Sequence, residues 1–218
     1  MSAAMITRSD SHEYTVDGRQ FDGVTTVIGN VIRKPALEKW IGDLGNVEAE
    51  RVRTKAASHG TLVHALATLA VEGTPSIPMG ETAPAQAQLD AFMDWCIQFV
   101  EEVYAAETMV AHPHYRYAGA FDFLLRMKRG KGPVLIDVKT GKSVYPEMRY
   151  QTAAYREAAK VGLLKELELS PATVRRGVLH IPTDDPGRLT FHEHTRHVSD
   201  FQGFLSCLFL YRDLKRGI

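Results

Sequence analysis

Cysteine is nearly missing from this chain: Cys96 and Cys207 are the only two in 218 residues. That excludes a disulfide framework and a four-thiolate metal cage, and both residues sit in apolar helical patterns that read as core. No secretory leader pattern is present, and no apolar run is long enough to cross a bilayer, because charged residues or glycine interrupt each candidate. The expectation is an intracellular, cytoplasmic protein with no membrane partner. Net charge is absent as well, with 26 Lys plus Arg against 26 Asp plus Glu, so overall charge argues neither for nor against a polyanionic partner. The chain also lacks repeats, low-complexity tracts and a Gly-Lys-Ser/Thr phosphate loop, so any ATP-driven step would have to come from a partner.

What is present is an ordinary globular composition, 44% hydrophobic and 24% charged, enough for a sizeable core. It predicts a single domain over 1–218, with a helical N-terminal portion over about 30–106 and a core over about 107–218. An Asp17-Gly18 turn signal lies between short extended segments, and residues 24–28 read as a strand or a helix start. Pro35 opens a helix at a first-turn position, where its missing donor does no harm. Helical pattern resumes over 47–57, and a short separate helix follows His59-Gly60 over 61–71. Residues 73–84, with Pro75, Pro78, Gly80 and Pro84, read as a loop at the rim of a cleft. The clearest helical period runs over 86–103 through Leu89, Phe92, Met93, Cys96, Phe99, Val100 and Val103. Three strands over 108–117, 120–127 and 134–139, a helix over 147–159, two strands over 174–181 and 188–194, and a helix over 200–215 complete the chain. This order predicts an α/β fold with a mixed central sheet flanked by helices.

One pair of strands stands out. Val134-Leu135-Ile136-Asp137-Val138-Lys139 is branched and apolar except for two charges, and side chains alternate across a strand. Val134, Ile136 and Val138 therefore share one face, while Asp137 and Lys139 lie together on the other. A basic hairpin through Arg126, Lys128, Arg129 and Lys131 brings Asp122, in Gly119-Ala120-Phe121-Asp122, antiparallel to this strand. Further cations follow at Lys142, Arg149, Arg156 and Lys160, whereas 81–107 is acidic and has no Lys or Arg. A basic neighbourhood around an acidic centre suits a polyanion, although a merely solvated hairpin gives the same pattern.

Phosphodiester hydrolysis needs a positioned water, neutralised non-bridging oxygens and a stabilised leaving oxygen. Hard oxygen ligands around Mg²⁺ or Mn²⁺ supply much of this. Asp122 and Asp137 are the candidate ligands, with the Val138 carbonyl as a third oxygen and Lys139 orienting water or countering charge. Glu107, at the start of the first of the three strands, offers another carboxylate, or is simply a charge at a helix end. His64, four residues after Gly60, can ligate the same metal or be an ordinary hydrogen-bonded histidine. Gln151 and Tyr155 lie one helical turn apart on one face and can support the site or bind substrate, or can just pack. Arg126, Lys142 and Arg149 are candidate phosphate contacts. His112 and His114, and His192, His194 and His197, have spacings that zinc could use, but no cysteine or paired acid accompanies them.

Taken in order, Gly60-Thr61-Leu62-Val63-His64, Gly119-Ala120-Phe121-Asp122, Asp137-Val138-Lys139-Thr140-Gly141 and Gln151-Thr152-Ala153-Ala154-Tyr155 resemble the RecB-type branch of the PD-(D/E)XK nucleases over about 60–159. The smaller exonucleases of that branch, phage-encoded and mitochondrial, are the most similar. The resemblance implies a restriction-endonuclease-like core, His64, Asp122 and Asp137 as ligands of Mg²⁺ or Mn²⁺, Lys139 as catalytic, and Gln151 and Tyr155 as accessory. Glu107 stands where such proteins often carry a further acid, a looser match. Some members hold an iron–sulfur cluster on four cysteines, which two cannot supply. The implied activity is a DNA exonuclease on ends or single strands in replication, recombination or repair, in a host cell if phage-encoded, with a recombination or replication protein as a possible second partner. A structure-selective or sequence-specific endonuclease and a non-catalytic DNA-binding subunit are the alternatives.

Overall fold

The strand centred on Asp137 is the middle of the fold because it is apolar on both faces. In the structure, a computed structural model that describes residues 5–9, 13–71 and 83–217, it is the sixth strand of a mixed sheet. The elements in order are β1 (Ile6–Arg8), β2 (Tyr14–Val16), β3 (Arg19–Gly23), α1 (Val24–Val31), α2 (Pro35–Leu44), α3 (Asn46–Val71), α4 (Ala83–Phe99), β4 (Val100–His112), β5 (Tyr117–Met127), β6 (Pro133–Lys139), α5 (Met148–Val161), α6 (Leu163–Glu166), β7 (Arg175–His180), β8 (Thr190–Glu193) and α7 (His197–Arg216). The strand path is β1-β2-β3-β5-β6-β7-β8, with β4 also on β5. The β3–β5 and β6–β7 pairs are parallel and the rest antiparallel, which is the expected mixed α/β architecture.

Helices cover both faces. On one, Val24, Val27 and Ile28 of α1, Ala154, Tyr155 and Ala158 of α5, and Phe204 and Leu208 of α7 bury Tyr117, Phe121, Leu124 and Leu135. On the other, Ala67 of α3 and Phe92 and Trp95 of α4 meet Phe123, Leu125, Val134, Ile136 and Val138. Leu135 and its neighbours Val134 and Ile136 thus face opposite cores, as alternation requires. Each buried Val, Leu, Ile or Phe among these contributes about 1.5–3 kcal/mol by leaving water. No helix among the described residues is long and apolar enough to cross a membrane.

Three boundaries differ from those read in the sequence. The helical segments 47–57 and 61–71 are one helix, α3, running through Gly60. A glycine costs about 1 kcal/mol in a helix, but a Cβ at position 60 would stand 3.2 Å from Thr140 Oγ1, so the close approach to the end of β6 favours glycine there. The helix read over 86–103 starts earlier, with Ala83, and stops at Phe99; the helical portion thus gives way to strand well before 106. Val100 and Val103 are β-formers, and β5 takes them as partners, with Val100 opposite Met127 and Val103 opposite Leu125. The first of the three strands therefore begins at Val100 and ends at His112, which places Glu107 mid-strand rather than at its start. Residues 24–28 belong to helix α1. The cleft-rim loop read over 73–84 lies outside the described residues apart from Ala83 and Pro84, which open α4.

Candidate metal centre

The candidate site forms where two strands part company along one edge of β5. Its other edge is taken up by β4 over nearly its whole length. On this edge Tyr117 and Ala118 pair with β3, whereas Phe123 to Arg126 pair with β6, so residues 119–122 face a gap between the two. Continuing the β5–β6 register, in which Phe123 opposes Ile136, sets Asp122 opposite Asp137. Instead of a ladder bond, the Asp122 carboxylate takes the Val138 N–H through Oδ2. Its other oxygen, Oδ1, lies 2.8 Å from His64 Nδ1 on α3.

Directly across β4 from Asp122 stands Glu107, since Ala106 pairs with Phe123 and Thr108 with Phe121. Glu107 has a positive φ of 44°, which is rare for a non-glycine residue within a strand and is the kind of backbone strain that gathers at functional sites. Ligand atoms of His64, Glu107 and Asp122 lie within 4.8 Å of one another. Among the described residues this is the one such group of three or more histidine, cysteine or acidic side chains. Two carboxylates and an imidazole at that separation are a donor set that a divalent cation can use. Partial burial and the Asp122 charge push the Glu107 carboxyl above its usual range, as expected of two acids brought close together.

Asp137 adjoins this group without belonging to it. It is 3% exposed; its Oδ1 accepts from Gln151 Nε2 at 3.1 Å, and its Oδ2 lies 2.5 Å from Lys139 Nζ yet receives no well-aligned hydrogen bond. The cation this buried oxygen faces is the Lys139 ammonium. Burial pushes the Asp137 carboxyl up while Lys139 opposes it. For Lys139, burial works against the ammonium, but the Asp137 and Asp122 charges prevail and hold its pKa above the ordinary value. Burial likewise disfavours protonation of His64, and the Asp122 hydrogen bond and charge outweigh it.

The supporting side chains come from α5. Gln151 Nε2 also donates to Tyr155 Oη at 3.0 Å, and burial carries the Tyr155 phenol well above its usual range. A Cβ on Gly119 would collide with the Tyr155 ring, so this glycine lets α5 press against β5 beside Asp122. Two further residues hold the site together without having been singled out in the sequence. Gln88, fully buried on α4, joins His59 Nε2 at 2.6 Å and donates to the Ile181 carbonyl at 2.5 Å, tying α3 to the end of β7. Arg176, fully buried on β7, donates to Thr152 Oγ1 and the Arg149 carbonyl, both at 2.8 Å, and to Asp200 Oδ2 at 2.6 Å, anchoring the first turn of α5. The signal for Gln88 was its place one turn before Phe92 on an apolar stripe; for Arg176 it was a charge beside the apolar run of a strand.

The structure does not gather the expected basic neighbourhood. Arg126 pairs with Glu101 at 3.3 Å and Glu102 at 3.1 Å toward the far end of β5. Arg149 stacks on Tyr150 at 4.8 Å and lies 3.6 Å from Asp200, so it holds α5 to α7. Arg156 is buried against the Val174 carbonyl and Glu157, and Lys160 pairs with Glu157 as well. Lys142 is exposed just beyond β6. The histidines with zinc-like spacing are engaged elsewhere: His194 Nδ1 meets Thr152 Oγ1 at 2.9 Å, His197 Nδ1 accepts from Arg176 at 3.3 Å, and His112 packs on Tyr115 and Tyr117. Burial pushes the Cys96 thiol up to about 12, so it is no ready thiolate.

No protein-family model matches the chain, and no curated protein matches it. Among solved structures it is similar to one from Eubacterium rectale named "Putative exonuclease", at 10% identity and a TM-score of 0.46, covering 72% of this chain and 65% of that one. It thus spans 65% of that protein's length. SSO0001 is similar at 13% identity and a TM-score of 0.39, covering 86% of this chain and 75% of the other. The functional reading rests on the site's own geometry.

Proposed function

We propose that the protein is a divalent-metal-dependent DNA nuclease of the RecB-type PD-(D/E)XK branch, acting as an exonuclease on DNA ends or single strands in replication, recombination or repair. The observation that carries this reading is the meeting of His64, Glu107 and Asp122 within 4.8 Å beside the buried Asp137–Lys139 pair. His64, Glu107 and Asp122, with Asp137 and the Val138 carbonyl, would hold Mg²⁺ or Mn²⁺. When bound, the ion supplies Lewis-acid neutralisation of the phosphate and an acidified water.

The chain's own residues do the rest. Asp122 is fixed from both sides by Val138 and His64, so it meets a ligand in place, with little reorganisation. Gln151 holds Asp137 by one oxygen and leaves the other toward Lys139. Lys139 offers ammonium donors to a phosphate oxygen or to the attacking water. Hydrolysis adds the water oxygen to phosphorus, breaks the bond to the leaving sugar oxygen and returns a proton to that oxygen. Tyr155 fills the gap behind Gln151 and excludes water from that side.

The test is cleavage of end-labelled linear and circular DNA, single- and double-stranded, with Mg²⁺, Mn²⁺ or chelator, by wild type, Asp137→Ala and Lys139→Ala. Loss of linear but not circular substrate, dependent on metal and abolished in both variants, is expected. Cutting of circles would select an endonuclease. Full activity in Asp137→Ala, or binding without cleavage under every metal, would overturn the assignment.

A further inference from the structure

A second cluster of cations lies away from the metal centre and plays no part in the chemistry above. A cavity of about 290 Å³ is lined by Gln20 and Asp22 of β3, Arg116 of the β4–β5 turn, and Arg212, Lys215 and Arg216 of α7. Four cations thus surround one carboxylate in a chain with no net charge. That carboxylate is already taken: Asp22 Oδ2 accepts from Arg212 Nε at 2.7 Å, and Lys215 Nζ lies 3.8 Å from Oδ1. Arg212 is further fixed by donating to the Tyr115 carbonyl at 2.7 Å and the Arg116 carbonyl at 2.9 Å. It therefore braces the recess, while Arg116, which spends one long contact of 3.4 Å on the Gln20 carbonyl, and Lys215 and Arg216 keep further donors for something else.

Cations in the last turn of a helix commonly answer its dipole, which accounts for Lys215 and Arg216 but not for Arg116. Arg116 comes from a different element and is held in the left-handed region at a φ of 53° by its N–H on the His112 carbonyl at 2.7 Å. Cations from a turn and from the last turn of α7 therefore converge on one polar recess, and their side-chain charge, rather than the carbonyl end of the helix, is what would attract an anion.

We propose that this recess grips a phosphate of the nucleic-acid backbone, at a distance from the scissile bond, so that affinity and register come partly from here. The proposal rests on the nuclease reading. Because Asp22 pairs with Tyr117, the recess lies about five residues along β5 from Asp122, roughly 17 Å at strand spacing.

The experiment measures binding of labelled linear DNA by fluorescence anisotropy in chelator, across a salt series, with the full chain. The variants are Lys215→Gln/Arg216→Gln, Arg116→Gln, and a charge-matched control, Lys165→Gln/Arg188→Gln; melting temperatures check folding. Each lost phosphate contact makes the plot of log affinity against log salt shallower by about 0.7–0.9. The first variant should therefore lose about threefold less affinity than wild type between about 50 and 200 mM salt, Arg116→Gln should shift the same way, and the control should match wild type. Recess variants indistinguishable from wild type or from the control would overturn the proposal, as would a wild type that binds no DNA. Cleavage by wild type is followed in parallel. Cleavage with an unchanged slope removes the recess alone, whereas a changed slope without cleavage supports the recess and removes the nuclease.

Discussion

Gly119→Ala tests the contact on which the site's geometry depends. Position 119 lies in the gap along β5, and a methyl group there would run into the Tyr155 ring and come within 3.3 Å of Val24 Cγ2. Tyr155 is 2% exposed and Val24 fully buried, so neither can swing into solvent, and α5 has to shift. Overpacking of this kind costs about 1–3 kcal/mol. For a chain of this size that lowers the melting temperature by about 2–12 °C. The same shift carries Tyr155 and Gln151 away from Asp137, so cleavage should fall by more than the loss of folded protein explains. Thermal or urea unfolding of Gly119→Ala beside Gly187→Ala, whose added methyl would meet nothing within 4 Å, gives the comparison. In a Tyr155→Ala background the cost should shrink, because the truncated ring leaves room, with a coupling of about 0.5–3 kcal/mol. A Gly119→Ala protein as stable and as active as wild type would refute the packing argument.

Two other outcomes are expected. Mn²⁺ at about 100 times its dissociation constant should stabilise the fold by about 2.7 kcal/mol, read as a rise of about 5–11 °C in melting temperature; Asp122→Ala should abolish that rise, and an equal rise in the variant would remove Asp122 from the ligand set. Burial, with Arg176 adding to it, lowers the His194 pKa from 6.5 to about 4. The unfolded chain therefore takes up this proton more readily, and His194 stabilises the fold above pH 6.5 and loses that contribution as pH falls toward 4. Between pH 7.5 and pH 5 the linkage is at most about 2 kcal/mol, less after solvent screening of a half-buried ring; His194→Gln should flatten the urea midpoint against pH, and an unchanged profile would refute it.

Much of the centre was legible in the sequence because it is local. Alternation along 134–139 put Asp137 beside Lys139 and gave both faces of the strand to cores, and the hairpin brought Asp122 alongside. The one-turn spacing of Gln151 and Tyr155 gave their shared face. Each of these follows from backbone periods of two or 3.6 residues, which the order of side chains records directly.

Tertiary structure decided the rest. The apolar period of α4 continues through Val100 and Val103, so only the demand of β5 for an antiparallel partner shows where helix stops. That choice moved Glu107 from a strand's start to its middle, opposite Asp122, where it brings a third candidate ligand atom to the cluster. Gly60 looked like a break between helices, yet it lies inside one continuous helix that delivers His64, with Thr140 just beyond β6 close to where a side chain would stand. The fates of Arg126, Arg149 and Arg156 depended on which acids or carbonyls other elements brought near, and they became ties within the fold. The lining of the cationic recess comes from residues as far apart as Gln20 and Arg216, a convergence no local pattern records. Sequence by itself determined which side chains share a face; the packing of the sheet decided which of those faces meet, because long-range contacts depend on strand pairing and burial rather than on spacing along the chain.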